Sequence, residues 1–155
     1  MTDILFGQSY YLRFDLKLHA AMQPYPPLGT LYAAAIVRQH GYSAALFDAM
    51  LAESVGEWAA ALDAHRPHLA ILFEDNFNYL CKMSLLRMRE AAFTMIDAAK
   101  ARGCTVICCG SDETDHADLY LQHGADVVLI GEGDAALPEV VAHYLPRGDA
   151  SPALA

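Results

Sequence analysis

Short apolar runs alternate with stretches of helical periodicity along the chain, and the alternation repeats about five times. The runs ILF (4–6), LAILF (69–73), TVICC (105–109) and DVVLI (126–130) are continuous in polarity, the pattern of strands covered on both faces by helices. Strands are therefore predicted near 3–7, 43–48, 69–74, 104–109 and 126–130. Helical spacing predicts helices near 28–40, 53–65, 82–102, 115–123 and 134–145. Stop signals agree with these bounds. A glycine follows the helix at His40-Gly41, Arg102-Gly103 and His123-Gly124, and Pro67 after Arg66 cannot continue the second helix.

Successive parallel strands joined by helices must cross over right-handed, which leaves few topologies. The fold class this predicts is α/β: a single five-stranded parallel sheet, flavodoxin-like or Rossmann-like, in the order 2-1-3-4-5. Its crevice is expected between strands 1 and 3, where the order reverses. The 155 residues suffice for one domain and not for two of ordinary size. Residues 1–145 are assigned to that domain. From Pro146 the sequence PRGDASPALA loses periodicity, so 146–155 reads as a linker or disordered tail.

A hydrophobic fraction of 55% supports a compact core. The formal charge of −9, from 19 acidic and 10 basic side chains, argues against nucleic acid as a partner, because binding a phosphate backbone needs a basic face. Lys82, Arg87, Arg89, Lys100 and Arg102 concentrate in one predicted helix, either as a solvated face or as a dock for an acidic surface or a phosphate. Four cysteines are few for a disulfide scaffold, and no C-x-x-C spacing occurs, so neither a zinc site nor an iron–sulfur cluster is expected. The amino terminus has no basic segment followed by a long apolar region, and no apolar run reaches about 18 residues. The expected setting is cytoplasmic, away from any membrane.

Ligands of open α/β sheets sit beyond the carboxyl ends of the strands, so the loops there are the candidates. The first runs from about Gln8 to Pro27, far longer than the usual two to six residues. Its aromatic residues Tyr10, Tyr11, Phe14 and Tyr25, with Tyr32 nearby, suggest an ordered, ligand-covering role. Pro26-Pro27-Leu28-Gly29 pre-sets extended backbone and then opens a helix whose free N–H groups face the crevice. Glu74-Asp75-Asn76-Phe77-Asn78-Tyr79 follows strand 3, where Asp75, Asn76 and Asn78 can cap the next helix or bond a ligand's amides. After strand 4 stands Gly110-Ser111-Asp112, in a run to Asp115 that should contain a helix cap. After strand 5, Gly131-Glu132-Gly133 flanks a carboxylate with bare backbone, which a tight turn explains equally well for the glycines.

The ordered set PPLG (26–29), FDA (47–49), CGSD (109–112) and GEGD (131–134) resembles the cobalamin (B12)-binding domain of B12-dependent radical SAM enzymes, over about residues 3 to 145. That resemblance implies cobalamin as the cofactor, held over the C-terminal edge of the sheet with its nucleotide tail in the crevice. It implies Gln8, Pro27, Leu28, Gly29, Glu74, Asp75, Asn76, Gly110, Ser111, Asp112, Gly131, Glu132 and Gly133 around the cofactor. Asp48, at the end of strand 2, matches the family's aspartate, and a cap for the following segment is an equal alternative. The D-x-H-x-x-G segment that carries a cobalt-ligating histidine in other corrinoid proteins is missing; Asp15-Leu16-Lys17-Leu18-His19 has the wrong spacing. The implied corrin is thus base-off and His-off, with neither His19 nor His116 on the metal. The family's barrel and its three-cysteine cluster loop are also missing. The chain is then not catalytic alone, and its implied partner is a radical SAM catalytic domain, commonly one that transfers a methyl group.

Rival classes lack their residues. A phosphoryl-accepting receiver needs an acidic pair after strand 1, where Gly7-Gln8 stands, and flavodoxin-type FMN binding needs a short Ser/Thr-rich loop there. No G-x-G-x-x-G follows the first strand and no G-x-S-x-G elbow occurs. The competitor that survives is a cobalamin-free interaction or scaffold domain whose apolar loops dock on another protein.

Overall fold

The structure, a computed structural model, describes residues 2–74 and 85–146. Five strands, β1 (Ile4–Gly7), β2 (Ala44–Leu46), β3 (Leu69–Phe73), β4 (Thr105–Cys109) and β5 (Val127–Leu129), form one all-parallel sheet in the order β2-β1-β3-β4-β5. The register sets Ile71 beside both Phe6 and Ile107, and Cys109 beside both Phe73 and Leu129. Helices α2 (Leu28–Gln39), α3 (Gly56–His65), α4 (Leu85–Lys100) and α7 (Leu137–Tyr144) follow the predicted periodicity. The predicted helix at 115–123 is instead a pair, α5 (Ser111–Asp115) and α6 (Ala117–Gln122), broken at His116.

Side chains alternate between the two faces of each strand. Leu5, Ala70, Leu72, Val106 and Cys108 face α3, α4 and α6 through Trp58, Leu62, Met95, Ile96 and Tyr120. Ile4, Phe6, Ile71, Phe73, Ile107 and Leu129 face α2 and α7 through Ala33, Val37, Leu137 and Val141. Both layers are buried, as the continuous apolar runs require.

A few polar bonds fix how the helices sit. Asp3 and Ser43 exchange reciprocal backbone-to-side-chain bonds of 2.8 and 2.7 Å at the start of β1 and β2. Thr30 on α2 donates to the Phe73 carbonyl at 2.7 Å, tying that helix to the end of β3. Asp126 accepts the Val106 amide and the Lys100 ammonium, both at 2.7 Å, and so joins β4, β5 and α4. Gly41, Gly103 and Gly124 take positive φ beyond their helices, while Arg66 itself turns left-handed ahead of Pro67, which disfavours the right-handed helical region there.

The long loop after β1 holds a 3-10 turn at Leu12–Phe14 and a short helix, α1 (Leu16–Ala21). Tyr10, Tyr11 and Leu12 are buried, with Tyr10 stacked on Tyr25 at 6.0 Å and Tyr11 against Phe14 at 4.9 Å. Of the tail, only Pro146 is among the described residues.

Trp58 is the largest fully buried side chain, and its indole N–H donates to the Met95 carbonyl at 2.9 Å. Trp58→Ala is expected to lower the unfolding free energy by about 3–5 kcal/mol, read by circular dichroism in urea. A loss below about 1 kcal/mol would contradict the α3–α4 packing.

Candidate functional site

A cleft of about 400 Å3 opens at the carboxyl edge of the sheet, over the ends of β3, β4 and β5. Phe73, Cys109, Gly110 and Gly133 form its floor, and Glu74, Ser111, Asp115, Glu132 and Asp134 bring polar groups to it. The position differs from the crevice expected between strands 1 and 3. There, Ser9 donates its amide to both Glu74 oxygens at 2.8 and 2.9 Å, and the buried Tyr10 and Leu12 pack against Met50 and Met88. The apolar start of the first loop has turned inward here, and this cleft lies one strand further on.

Two loops make the cleft. Thr114 donates its hydroxyl to the Gly110 carbonyl at 2.8 Å and accepts the Gly131 amide at 2.9 Å, so it staples the β4–α5 turn to the β5–α7 turn. Gly131 has φ 77°, and a Cβ built there meets no atom within 4 Å, leaving bare backbone against open space. Gly133 answers the opposite demand. A Cβ there would lie 2.5 Å from the Cys109 sulfur and 3.0 Å from Leu129 Cδ1, so only glycine lets this loop settle on the end of β4. The Gly133 carbonyl then accepts the Leu137 amide at 2.8 Å as α7 begins.

Cys109 is the soft group on the cleft floor. Burial pushes its thiol up to about 11, against a backbone bond at Gly133 that lowers it, so it stays protonated at neutral pH. Cys108, its neighbour on the other face, is driven well above the ordinary thiol range by burial.

Of the residues singled out from the sequence, Glu74, Gly110, Ser111, Gly131, Glu132 and Gly133 come together around this one cleft. Asp112 does not face it. Its carboxylate is buried and holds the Arg89 guanidinium by two bonds, at 2.7 and 2.5 Å, while accepting the Tyr120 hydroxyl at 2.8 Å. Burial raises the Asp112 carboxyl, and the bonds from Arg89 and Tyr120 outweigh it, leaving the group below its ordinary range. No side chain caps α5, whose N-cap is Gly110.

Gln8 accepts the Tyr10 amide at 2.6 Å and donates to Asp48 at 3.3 Å; Asp48 also accepts the Met50 amide at 2.9 Å as a cap. Pro27 is buried, Gly29 half-buried and Leu28 exposed at the head of α2, and none of the three lines the cleft. Asp75 and Asn76, with Asn78 and Tyr79, lie outside the described residues. Leu16, Met22, Leu28, Tyr32, Leu51 and Ile130, in the segments that follow β1, β2 and β5, expose 55 to 76% of their surface as an apolar rim. His116 lies 3.8 Å from Asp112, His19 belongs to α1, and neither lines the cleft.

Sequence reasoning missed Cys109 and Asp134 as cleft groups, and Arg89 and Tyr120 as the partners of Asp112. The spacing offers a partial signal for Tyr120, eight residues after Asp112, and none for Arg89.

No protein-family model and no curated protein matches the chain. Among solved structures it is similar to a cobalamin-dependent S-adenosylmethionine radical enzyme, OxsB, solved with aqua-cobalamin and S-adenosylmethionine bound. The TM-score is 0.68 at 10% identity, over 97% of this chain and 20% of that one. At this identity the likeness is one of fold, and the chain spans about one fifth of that enzyme's length.

Asp112→Asn is expected to cost on the order of 3 kcal/mol, because Arg89 would stay half-buried without its counter-charge. The Asp112 carboxyl lies below its unfolded value, so the wild-type network stabilises above the ordinary carboxylate range and is lost as pH falls through the lowered value. Urea midpoints measured from neutral to acid pH should show that loss in the wild type and a flatter profile in Asp112→Asn.

Proposed function

We propose that this chain is a cobalamin-binding module, holding a base-off, His-off corrin for a radical SAM enzyme of the methyl-transfer type. The catalytic barrel would lie outside these 155 residues, on the same parent chain or a separate one, in the cytoplasm. The observation that carries this is the cleft at the β3–β5 edge. It has an apolar floor with a neutral thiol, bare backbone at Gly131, and an edge of hydroxyl and carboxylate groups from Ser111, Asp115, Glu132 and Asp134.

These residues fit the cofactor's chemistry. A corrin carries amide arms that donate hydrogen bonds, and carboxylate, hydroxyl and carbonyl oxygens accept them. A volume of about 400 Å3 suits one arm or the nucleotide portion, while the macrocycle would rest on the apolar rim. Glu74, Gly110, Ser111, Gly131, Glu132 and Gly133 would hold it. When bound, cobalamin supplies the methyl-carrying chemistry, and the chain's own part is to position it and exclude water. His19 and His116 stand off the cleft walls, which favours a lower face without imidazole.

The apolar rim also favours a second reading, in which the same edge docks on another protein without any corrin.

The readings separate on mixing the purified chain with hydroxocobalamin and removing free cofactor by gel filtration. Retained red colour, abolished in Ser111→Trp, which fills the cleft from an exposed position, is the expected outcome. The bound absorption spectrum should be unchanged in His19→Ala and His116→Ala. A colourless wild-type protein supports the scaffold reading, and a changed spectrum in either histidine variant contradicts the His-off assignment.

A further inference from the structure

At the opposite edge of the sheet, where β3 and β4 begin, a cavity of about 630 Å3 opens between the turn that follows α3 and the turn that follows α4. Leu62, Pro67 and Cys104 are the buried, uncharged part of its wall. Burial raises the Cys104 thiol above its ordinary range and outweighs the nearby charges of Arg102 and Lys100, so the thiol stays neutral. Asp63, Arg66, His68 and Arg102 bring the polar groups. The cavity shares no lining residue with the cleft at the carboxyl edge.

Two of its three charges cancel. The Arg102 guanidinium donates to both Asp63 oxygens, at 2.7 and 2.9 Å. Arg66 is exposed, and among the described residues its side chain has no hydrogen bond and no ion pair. Its charge still reaches the cavity: the Asp63 carboxyl is held below its ordinary range chiefly by the bond from Arg102, with the Arg66 charge adding to it. With His68 neutral, the cavity therefore carries net positive charge in a chain whose formal charge is −9.

The backbone at Arg66 gives a second, independent observation. Its φ of 47° and ψ of 57° are left-handed, a conformation that crowds the Cβ of any residue but glycine. After α2, α4 and α6 the positive φ falls on Gly41, Gly103 and Gly124. The Arg66 amide closes α3 on the Leu62 carbonyl at 2.8 Å, a bond that glycine would make with less strain. The turn thus calls for left-handed backbone and has no use for the guanidinium it carries.

We propose that this cavity binds a small organic carboxylate, held by the Arg66 guanidinium through two parallel N–H···O bonds. The planar fork matches a carboxylate in that geometry. The apolar body of the ligand lies against Leu62, Pro67 and the neutral Cys104 thiol, and His68 offers a ring nitrogen beside it. Side chains must do the recognition, because the amides of His68, Cys104 and Thr105 already donate to the Asp3, Ala99 and His68 carbonyls. Inorganic phosphate shares the oxyanion chemistry, but it brings a larger charge and no apolar body to cover the wall. Since the two cavities have no residue in common, this site stands or falls separately from the cobalamin assignment.

Nitrogen–proton NMR spectra of the ligand-free full chain, titrated at constant ionic strength with benzoate, inorganic phosphate and benzyl alcohol, test the site directly. Benzoate should shift the amides of Arg66, His68, Gly103 and Cys104 saturably, with phosphate and the uncharged alcohol each at least about tenfold weaker. Arg66→Gly and Arg66→Gln should each weaken benzoate binding at least about tenfold, while the urea midpoint of Arg66→Gly stays level or rises. That last reading distinguishes a ligand-binding side chain from one kept for the end of α3, whose loss would lower the midpoint. No saturable shift with benzoate, phosphate binding as tightly as benzoate, or unchanged benzoate binding in both variants would overturn the proposal. A lowered midpoint in Arg66→Gly would overturn it too, by giving the guanidinium a structural use.

Discussion

The loop after β5 rests directly on the end of β4, with Gly133 against the Cys109 sulfur, and that close approach determines where a ligand can sit. With any larger residue at 133, the loop would be pushed off the sheet and the floor of the cleft would open. Thr114 secures the same two loops from the side by bonding both Gly110 and Gly131. The site is therefore built on backbone, held by one hydroxyl and one missing side chain, and needs no movement of the sheet.

Behind the cleft, among the described residues, three carboxyl groups are buried. Asp112 is paired with Arg89, Glu74 is bonded to the Ser9 amide, and Glu113 has neither. The rim adds Asp115, Glu132 and Asp134. Such a surface favours ligands that donate hydrogen bonds, consistent with an amide-fringed molecule. The described basic residues of the α4 region each have a partner within the chain, and Lys82 lies outside the described residues. Arg87 donates to the Phe14 carbonyl, Arg89 holds Asp112, Lys100 holds Asp126, and Arg102 just beyond the helix holds Asp63.

The sheet was legible because continuous apolar runs admit few alternatives once helices separate them, and right-handed crossovers leave few orders, of which 2-1-3-4-5 is one. The glycine loops after β4 and β5 were legible for a related reason, since bare backbone at a strand end has few uses. The direction of the first loop was not. The aromatic residues there suggest a ligand cover, whereas Tyr10 and Leu12 are buried against Met50 and Met88 and Tyr11 joins the main core, through contacts distant in sequence. The role of Asp112 was hidden too, because its partner Arg89 stands 23 residues away on another helix and no local period links them. Glu113 looked like one of five acidic or hydroxyl residues in a row; only the turn of α5 shows that it points inward.

Hydrogen exchange of the full chain with and without hydroxocobalamin tests the central claim most directly. Slowed exchange confined to residues 109–115 and 131–134 is the result expected if the β3–β5 cleft takes the cofactor. No change, or protection confined to the opposite edge around residues 66–68 and 102–104, would contradict it.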